Sequence, residues 1–365
     1  MLAFSKKLLP ACLLSLSTVA CSHSPHTTTT GTPVRTSSGT VPTTVRSAEL
    51  EAQPLSAVPQ QFVAQVAQRY QIPASTVQHI LQSARYNPTT AKLMTPKAKT
   101  VVKRSWQAYR ARFVEPIRLR EGHKFWQQHQ GTLAAAQQRY GVPAEIIVAI
   151  IGVETVYGRN TGSIRTLDAL YTLGFHHPDS SRPDRHLSFR NQLAALMSLH
   201  QQGKLDAMSV TGSFAGAIGL PQFMPISILQ YAVDGDGDGR IDLTDNATDA
   251  IFSVAKFLVD HGWQRQLPVF APASLPSNAA SLVDGGLTPS YTWSQLQAKG
   301  ANSEVQGAAW QHGKVLGVID LKEEGRGQTT YRLATQNFFA ITQYNHSYFY
   351  ATAVADLAQA LKQRR

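Results

Sequence analysis

"VAIIGVETVYG", residues 148–158, sets one carboxylate, Glu154, at the end of a run that is otherwise aliphatic, glycine or aromatic. From Ile146 to Val153 the sequence is apolar on every helical face apart from Gly152. That pattern predicts a helix surrounded by core rather than one lying on a surface. A glutamate at its end is expensive, because burial penalises the ionised form and raises the pKa unless a partner compensates. Two readings compete for it. One is a helix-end ion pair with Arg159 or Arg165; the other is a proton-transfer group held in a dry site.

Around this run the chain reads as a succession of helices. "FVAQVAQRY", "STVQHILQSA", "VVKRSWQAYRARFV" and "GHKFWQQHQGTLAAAQQRYGV" precede it, and "LDALYTLGF", "FRNQLAALMSLHQQG" and "ATDAIFSVAKFLVDHGW" follow it. Each carries apolar residues at three- and four-residue spacing. After Trp263 the character changes. "GKVLGVIDLKEE" and "TTYRLATQNFFAITQYN" read as strands, and "YFYATAVADLAQALKQ" as a closing helix. The expected fold class is mainly α, with a small β insertion towards the C-terminus.

Two further stretches carry chemistry. "DGDGDGRIDLTDNATD", residues 234–249, alternates acidic residues with glycine at the sixth position, as a calcium loop of EF-hand type does. Asp234, Asp236 and Asp238 offer hard oxygen ligands, Arg240 its backbone carbonyl, and Asp242 a ligand of the kind that often acts through water. The twelfth position is Asp245, one methylene short of the usual bidentate glutamate; a loop lengthened to Asp249 restores a closing ligand. The competing reading is a solvated acidic turn. "GSFAGAIGLPQFMP", residues 212–225, combines small residues that let backbone approach closely with the polar Ser213 and Gln222. A tightly packed helix pair would look the same.

The 365 residues, 43% of them hydrophobic, suffice for two or three domains. The first twenty have a basic start (Lys6, Lys7), a short apolar stretch and small residues before Cys21. The stretch is shorter than the roughly 20 apolar residues that span a bilayer, so 1–20 reads as a secretory signal. "STVAC" resembles a bacterial lipobox with Thr18 where leucine is usual, which makes Cys21 the lipidated residue of an anchored protein. An ordinary cleavage site would instead give a soluble periplasmic protein. The other cysteine, Cys12, lies inside the signal, so no disulfide is expected. Residues 22–54, rich in Ser, Thr, Pro and Gly, read as a tether. The net charge of +11 favours an acidic partner. Scattered Lys and Arg, the absence of any zinc-finger or helix-turn-helix signature, and export together exclude nucleic acid and favour a cell-envelope polymer.

"GVETVYGR", "GSFAGAIGLPQFMP", the calcium loop and "QYNHSYFYATAV" occur in this order from about Trp106 onward. Together they resemble the membrane-bound lytic murein transglycosylase B family. The resemblance implies a lysozyme-like catalytic core (131–265) with a calcium loop, an α domain (56–130, joined by the C-terminal helix 346–365) and a small antiparallel β domain (266–345). It implies a structural Ca2+ and no organic cofactor. It makes Glu154 the single catalytic acid and base, and implies that the enzyme cuts the β-1,4 MurNAc-GlcNAc bond of peptidoglycan without water. Ser213 and Gln222 would line the cleft, and Tyr109 and Tyr344 the sugar groove. Phe257 stands where many members carry tyrosine. The family's paired arginines, associated with the peptide stem, are replaced by "HHPDSSRPDRHLSF", in which Arg185 is the nearest match and Arg182 the next. The implied partners are peptidoglycan glycan strands, a membrane reached through the lipid anchor, and proteins of cell-wall synthesis or division. The implied location is the periplasmic face of a Gram-negative outer membrane. A hydrolytic muramidase and a non-cutting peptidoglycan-binding lipoprotein are the rival readings.

Overall fold

The computed structural model describes residues 60–363 apart from 97–102, 180, 182 and 314. The signal, Cys21, the tether and Arg182 therefore lie outside the described residues.

Three short helices, α1 (Gln60–Tyr70), α2 (Ala74–Ser83) and α3 (Pro88–Met94), open the described chain. α4 (Trp106–Arg110) is a single turn capped by the Ser105 hydroxyl, which accepts from Ala108 N. α5 (Pro116–Gln128) starts where Glu115 accepts from the amides of Ile117 and Arg118, with Pro116 at a position that needs no donor. The stretch that reads as one helix across residues 122–142 is broken at His129 (φ −113°, ψ 27°), where α5 gives way to α6 (Gln130–Tyr140).

α7 (Ala144–Thr155) is the axis of the molecule. Every one of its residues is buried except Glu145 and Glu154. It is enclosed by α5, α6, α11 (Ala247–Asp260) and, most extensively, the C-terminal α14 (Tyr348–Gln363). A helix so enclosed takes its stability from packing rather than from intrinsic propensity, which is how Ile146–Val153 tolerates six β-branched residues. α8 (Thr166–Phe175) pairs with α9 (Pro183–Gln201), which also contacts α10 (Pro225–Tyr231).

The β structure is small and antiparallel. β1 (Ile164–Arg165) pairs with β2 (Thr211–Gly212), and β3 (Leu316–Glu323) forms a hairpin with β4 (Gln328–Thr335) in the register Leu316↔Thr335 to Glu323↔Gln328. The hairpin shares a second apolar cluster with Leu267, Leu296, Trp293 and Trp310, separate from the main helical core. Between the two strand pairs lies a five-residue helix, α12 (Trp293–Gln297). One sequence reading is corrected here: beyond Thr335 the chain is not strand but α13 (Gln336–Thr342). The Thr335 hydroxyl accepts from Asn337 N and starts that helix, so the aromatic Phe338 and Phe339 are buried from a helix rather than from a pleat. Among the described residues no helix is long and apolar enough to cross a membrane.

Candidate active site

Glu154 stands in the last turn of α7, half-buried at the rim of the core. The helix ends abruptly after it. Val156 and Tyr157 both take the left-handed conformation (φ 52° and 58°), which non-glycine residues adopt only when the surroundings enforce it. The enforcement is visible. The Tyr157 ring turns back between α5 and α7, so that a Cβ on either Gly122 or Gly152 would lie 2.4 Å from its hydroxyl oxygen. Gly152, the one gap in the apolar run, is the seat for this ring. The Tyr157 hydroxyl is buried without a partner among the described residues, and burial pushes its pKa up. Arg118 Nε donates to Gly152 O at 2.9 Å and satisfies one of the helix's last carbonyls.

The two cations that could have made Glu154 a structural ion pair are engaged elsewhere. Arg165 grips Asp168 (2.6 Å) and Ser83 O (2.6 Å), and Arg159 lies 3.7 Å from Glu121. The Tyr350 hydroxyl, from the first turn of α14, donates to Glu154 Oε1 at 2.5 Å. Tyr350 is buried, and its helix is pinned by Asp356, whose carboxylate takes Arg110 Nε from α4 (2.6 Å) and Arg332 Nη1 from β4 (2.8 Å). Sequence reasoning missed Tyr350, one of three aromatics in "YFY".

Tyr344 stacks on Tyr350 (centroids 6.4 Å, planes 16° apart) and donates its hydroxyl to Pro221 O at 3.1 Å. Burial, and then the charge of Glu154, push its phenol well above the ordinary range. Phe257 meets the Tyr344 ring at 4.7 Å, filling the place as an apolar face. Tyr109 packs on Phe349, the residue before Tyr350 (5.5 Å).

The 212–225 stretch is a looped hairpin rather than a helix pair. Ile218 exchanges backbone hydrogen bonds with Phe223, and Gly212 and Ser213 are held against Ala217 and Ile218. Ser213 Oγ accepts from Ala217 N at 3.1 Å. Gln222, left-handed at φ 52°, donates Nε2 to Gly219 O (2.9 Å) and Thr161 O (3.1 Å). Its amide oxygen carries no hydrogen bond among the described residues. The loop is tied to α7 by Thr155 Oγ1, which donates to Leu220 O (3.0 Å), and to the acidic loop by Leu220 N, which donates to Leu243 O (2.7 Å). Gly219 permits this second approach, since a Cβ there would sit 2.2 Å from Leu243 O.

In the acidic loop Asp234, Asp236 and Asp249 come together, with carboxylate oxygens all within 4.8 Å of one another. Asp249, fully buried at the start of α11, accepts from Gly235 N (2.8 Å) and Asp242 N (2.7 Å). Burial, and the charges of Asp236 and Asp234, push its pKa up. Two carboxylates gathered around a buried third are a hard, anionic donor set, which suits Ca2+. Asp238 and Asp242 lie outside this group, accepting from Arg240 N and from Thr244 N and Asp245 N respectively. Arg185 sits in the first turn of α9 beside His177 and Asp179, with its buried Nε unpartnered among the described residues. It belongs to a different set of contacts from those that join Glu154, Tyr350, Tyr344 and Pro221.

Residues 55–359 match the family model described as transglycosylase SLT domain. The membrane-bound lytic murein transglycosylase B of Escherichia coli (strain K12) is 37% identical over 311 residues, which cover 83% of this chain and 82% of the relative. The soluble lytic transglycosylase SltB1 of Pseudomonas aeruginosa, solved in a catenated form, superposes with a TM-score of 0.74 at 37% identity, covering 84% of this chain and 98% of that one. The lytic transglycosylase Slt35 of Escherichia coli, solved in complex with calcium, gives a TM-score of 0.72 at 36% identity, covering 85% of this chain and 95% of that one.

Proposed function

The chain belongs to the transglycosylase SLT domain family, and from that premise we propose that it is a peptidoglycan lytic transglycosylase in which Glu154 alone serves as acid and then base. The observation that carries the reading is the setting of Glu154: a single carboxylate closing an otherwise apolar helix, oriented by the Tyr350 hydroxyl at 2.5 Å.

The chemistry follows from one carboxylate acting twice. Glu154, protonated, gives its proton to the glycosidic oxygen as the bond from C1 breaks. Most glycosidases then use a second carboxylate. Here the 2-acetamido group of the muramyl sugar supplies the internal nucleophile, as in substrate-assisted enzymes. Glu154, now a carboxylate, takes the proton from the sugar's own 6-hydroxyl, whose oxygen bonds to C1 as the bond from C1 to the acetamido oxygen breaks, closing a 1,6-anhydro ring and restoring the acetamide. No water is consumed. Gln222 and Ser213 stand on a loop hydrogen-bonded to the catalytic helix, where the Gln222 amide oxygen suits an acetamido N–H. Tyr344 and Tyr109 offer aromatic faces to the sugar groove, and Arg185 a cation to the peptide stem. Mass spectrometry of products from purified sacculi tests the reaction. The expected product is lighter by one water than the hydrolysis product and has no reducing end; reducing ends in every product would make the enzyme a hydrolytic muramidase.

Asp234, Asp236 and Asp249 would hold a structural Ca2+, supported by the calcium in the Slt35 complex. The ion's role is to neutralise three crowded carboxylates. Asp238, Asp242 and the Arg240 carbonyl complete the set proposed from the loop pattern. Calcium at 100 times its Kd should stabilise the fold by about 2.7 kcal/mol, so Tm should rise with calcium and fall with chelator, and an unresponsive Tm would remove the ion. Lipidation of Cys21 would tether the enzyme to the periplasmic face of the outer membrane, a reading supported by the membrane-bound name of the Escherichia coli relative. Cys21→Ala should then move to the soluble periplasmic fraction with its activity kept; a wild type already soluble would overturn the anchor.

A further inference from the structure

At the opposite end of α7 from Glu154 lies a cavity of about 710 Å³ that the proposed reaction leaves unused. Its walls come from α5, α6, the start of α7, the segment after α11 and the end of α14. The size is that of a small-molecule or oligosaccharide site. Glu145, in its wall, is nine residues from Glu154 on the same helix, about 13 Å along the axis and half a turn around it. The cavity is therefore separate from the catalytic cleft.

Its chemistry selects a ligand class. Two of its three charges pair with each other, Lys362 Nζ with Glu145 Oε1 at 2.9 Å, and the third, Arg265, is drawn onto backbone, its Nη2 donating to the last carbonyls of α6, Gln138 O (2.8 Å) and Arg139 O (2.7 Å). The lining's one carboxylate is paired, and its remaining cation is held by carbonyls. The amides are available instead. Gln130, Gln138 and Gln266 line the cavity, are exposed, and make no side-chain hydrogen bond among the described residues. Gln266 adopts φ 63°, a left-handed conformation in a non-glycine residue, and such strain concentrates where a side chain must be aimed at a ligand. Trp126 adds an aromatic wall. Free amide donors and acceptors, an indole and a single cation already held by carbonyls fit a polymer rich in hydroxyl and acetamido groups.

We propose that this cavity is a second, non-catalytic site for an N-acetylated glycan segment, which holds one stretch of the wall while the Glu154 cleft cuts another. This rests on the reading of the chain as a peptidoglycan enzyme. The test uses the Glu154→Gln protein, which keeps the cleft but does not consume the probe, titrated calorimetrically with chitotetraose. The expected stoichiometry is two. Ala134→Trp, which fills the cavity from the exposed face of α6, should reduce it to one, and hydrogen exchange should show probe-dependent protection around residues 130–145 that this substitution removes. The milder pair Gln130→Ala with Gln138→Ala should weaken the second site and sacculus pelleting by about tenfold or more, at about one neutral hydrogen bond each, and shows the effect if the tryptophan disturbs folding. A stoichiometry of one from the start, or of two that neither variant changes, overturns the proposal. Failure of the catalytic reading shows differently, as cutting of sacculi by Glu154→Gln, and leaves the stoichiometry untouched.

Discussion

Glu145 and Glu154 are the two residues of α7 that packing leaves unburied, one in the first turn and one in the last. Their circumstances are opposite. The helix dipole favours an anion at the first turn and opposes one at the last. Glu145 has a lysine, Lys362, at 2.9 Å, whereas Glu154 has a neutral phenol, Tyr350, at 2.5 Å. Backbone conformation differs in the same sense: α7 begins in ordinary geometry after Pro143, with its first amide taken by the Gln137 side chain, and ends in two consecutive left-handed residues. The same residue type on the same helix is ion-paired at one end and, at the other, is the group proposed to react. What separates them is the partner each is given and the strain the fold spends in placing it.

The largest break in that comparison is Glu154→Gln. The amide keeps the shape and still accepts from Tyr350, but it can neither give nor take the proton. General acid and base roles are each worth about 10²- to 10⁴-fold, so turnover should fall by at least about three orders of magnitude. Glycan binding and Tm should hold, because the loop contacts of Ser213 and Gln222 and the rings of Tyr344 and Tyr350 are untouched. A Glu154→Gln protein that clears sacculi near the wild-type rate would falsify the mechanism.

Tyr350→Phe sharpens the same contrast at smaller scale. It deletes one hydrogen bond to the Glu154 carboxyl and leaves the ring stacked on Tyr344. A hydrogen bond to a charged group is worth about 1.5–3 kcal/mol, so kcat should fall by roughly 10- to 100-fold with KM little changed. A loss confined to KM would make Tyr350 a groove residue and not the positioning partner of Glu154.

How far this was legible in the sequence differs between the parts. Glu154 stood out because a buried helix tolerates few interruptions, and the run 146–153 has only Gly152. The reason for Gly152 was not legible, since it depends on a tyrosine five residues later folding back in a left-handed turn. Tyr350 was hidden for a different reason: its partner lies 196 residues away, and three aromatics in "YFY" give no sign of which faces α7. The strand reading of 336–345 failed because β-branched and aromatic residues carry no period there, while the cap at Thr335 that decides the matter looks like any strand threonine. In the acidic loop the alternation of aspartates was legible, and so was the candidacy of Asp249; the backbone amides that Asp238 and Asp242 accept from are not displayed by the sequence.

The smallest effect, and the closest test of the comparison, is expected at the other end. If α7 carried a two-carboxylate glycosidase, Glu145 would be the natural second acid on the same element, and Glu145→Gln would be nearly as damaging as Glu154→Gln. Geometry opposes this. Paired glycosidase carboxylates stand about 5–9.5 Å apart across one bond, whereas Glu145 is about 13 Å along the helix from Glu154 and on its far side. Its partner Lys362 is 70% exposed, so the ion pair is screened and worth about 0–1 kcal/mol. Glutamine at 145 keeps a good helix former in the first turn and loses only part of a favourable dipole interaction, about 0.3–1 kcal/mol. Turnover of a soluble glycan should therefore fall by less than about tenfold, a change smaller than that of Tyr350→Phe in free energy. Tm should drop by a few degrees at most, and by less at high salt, because the lost terms are surface electrostatics. A thousandfold loss of turnover in Glu145→Gln with an unchanged Tm would erase the difference between the two ends and return the second carboxylate to the mechanism.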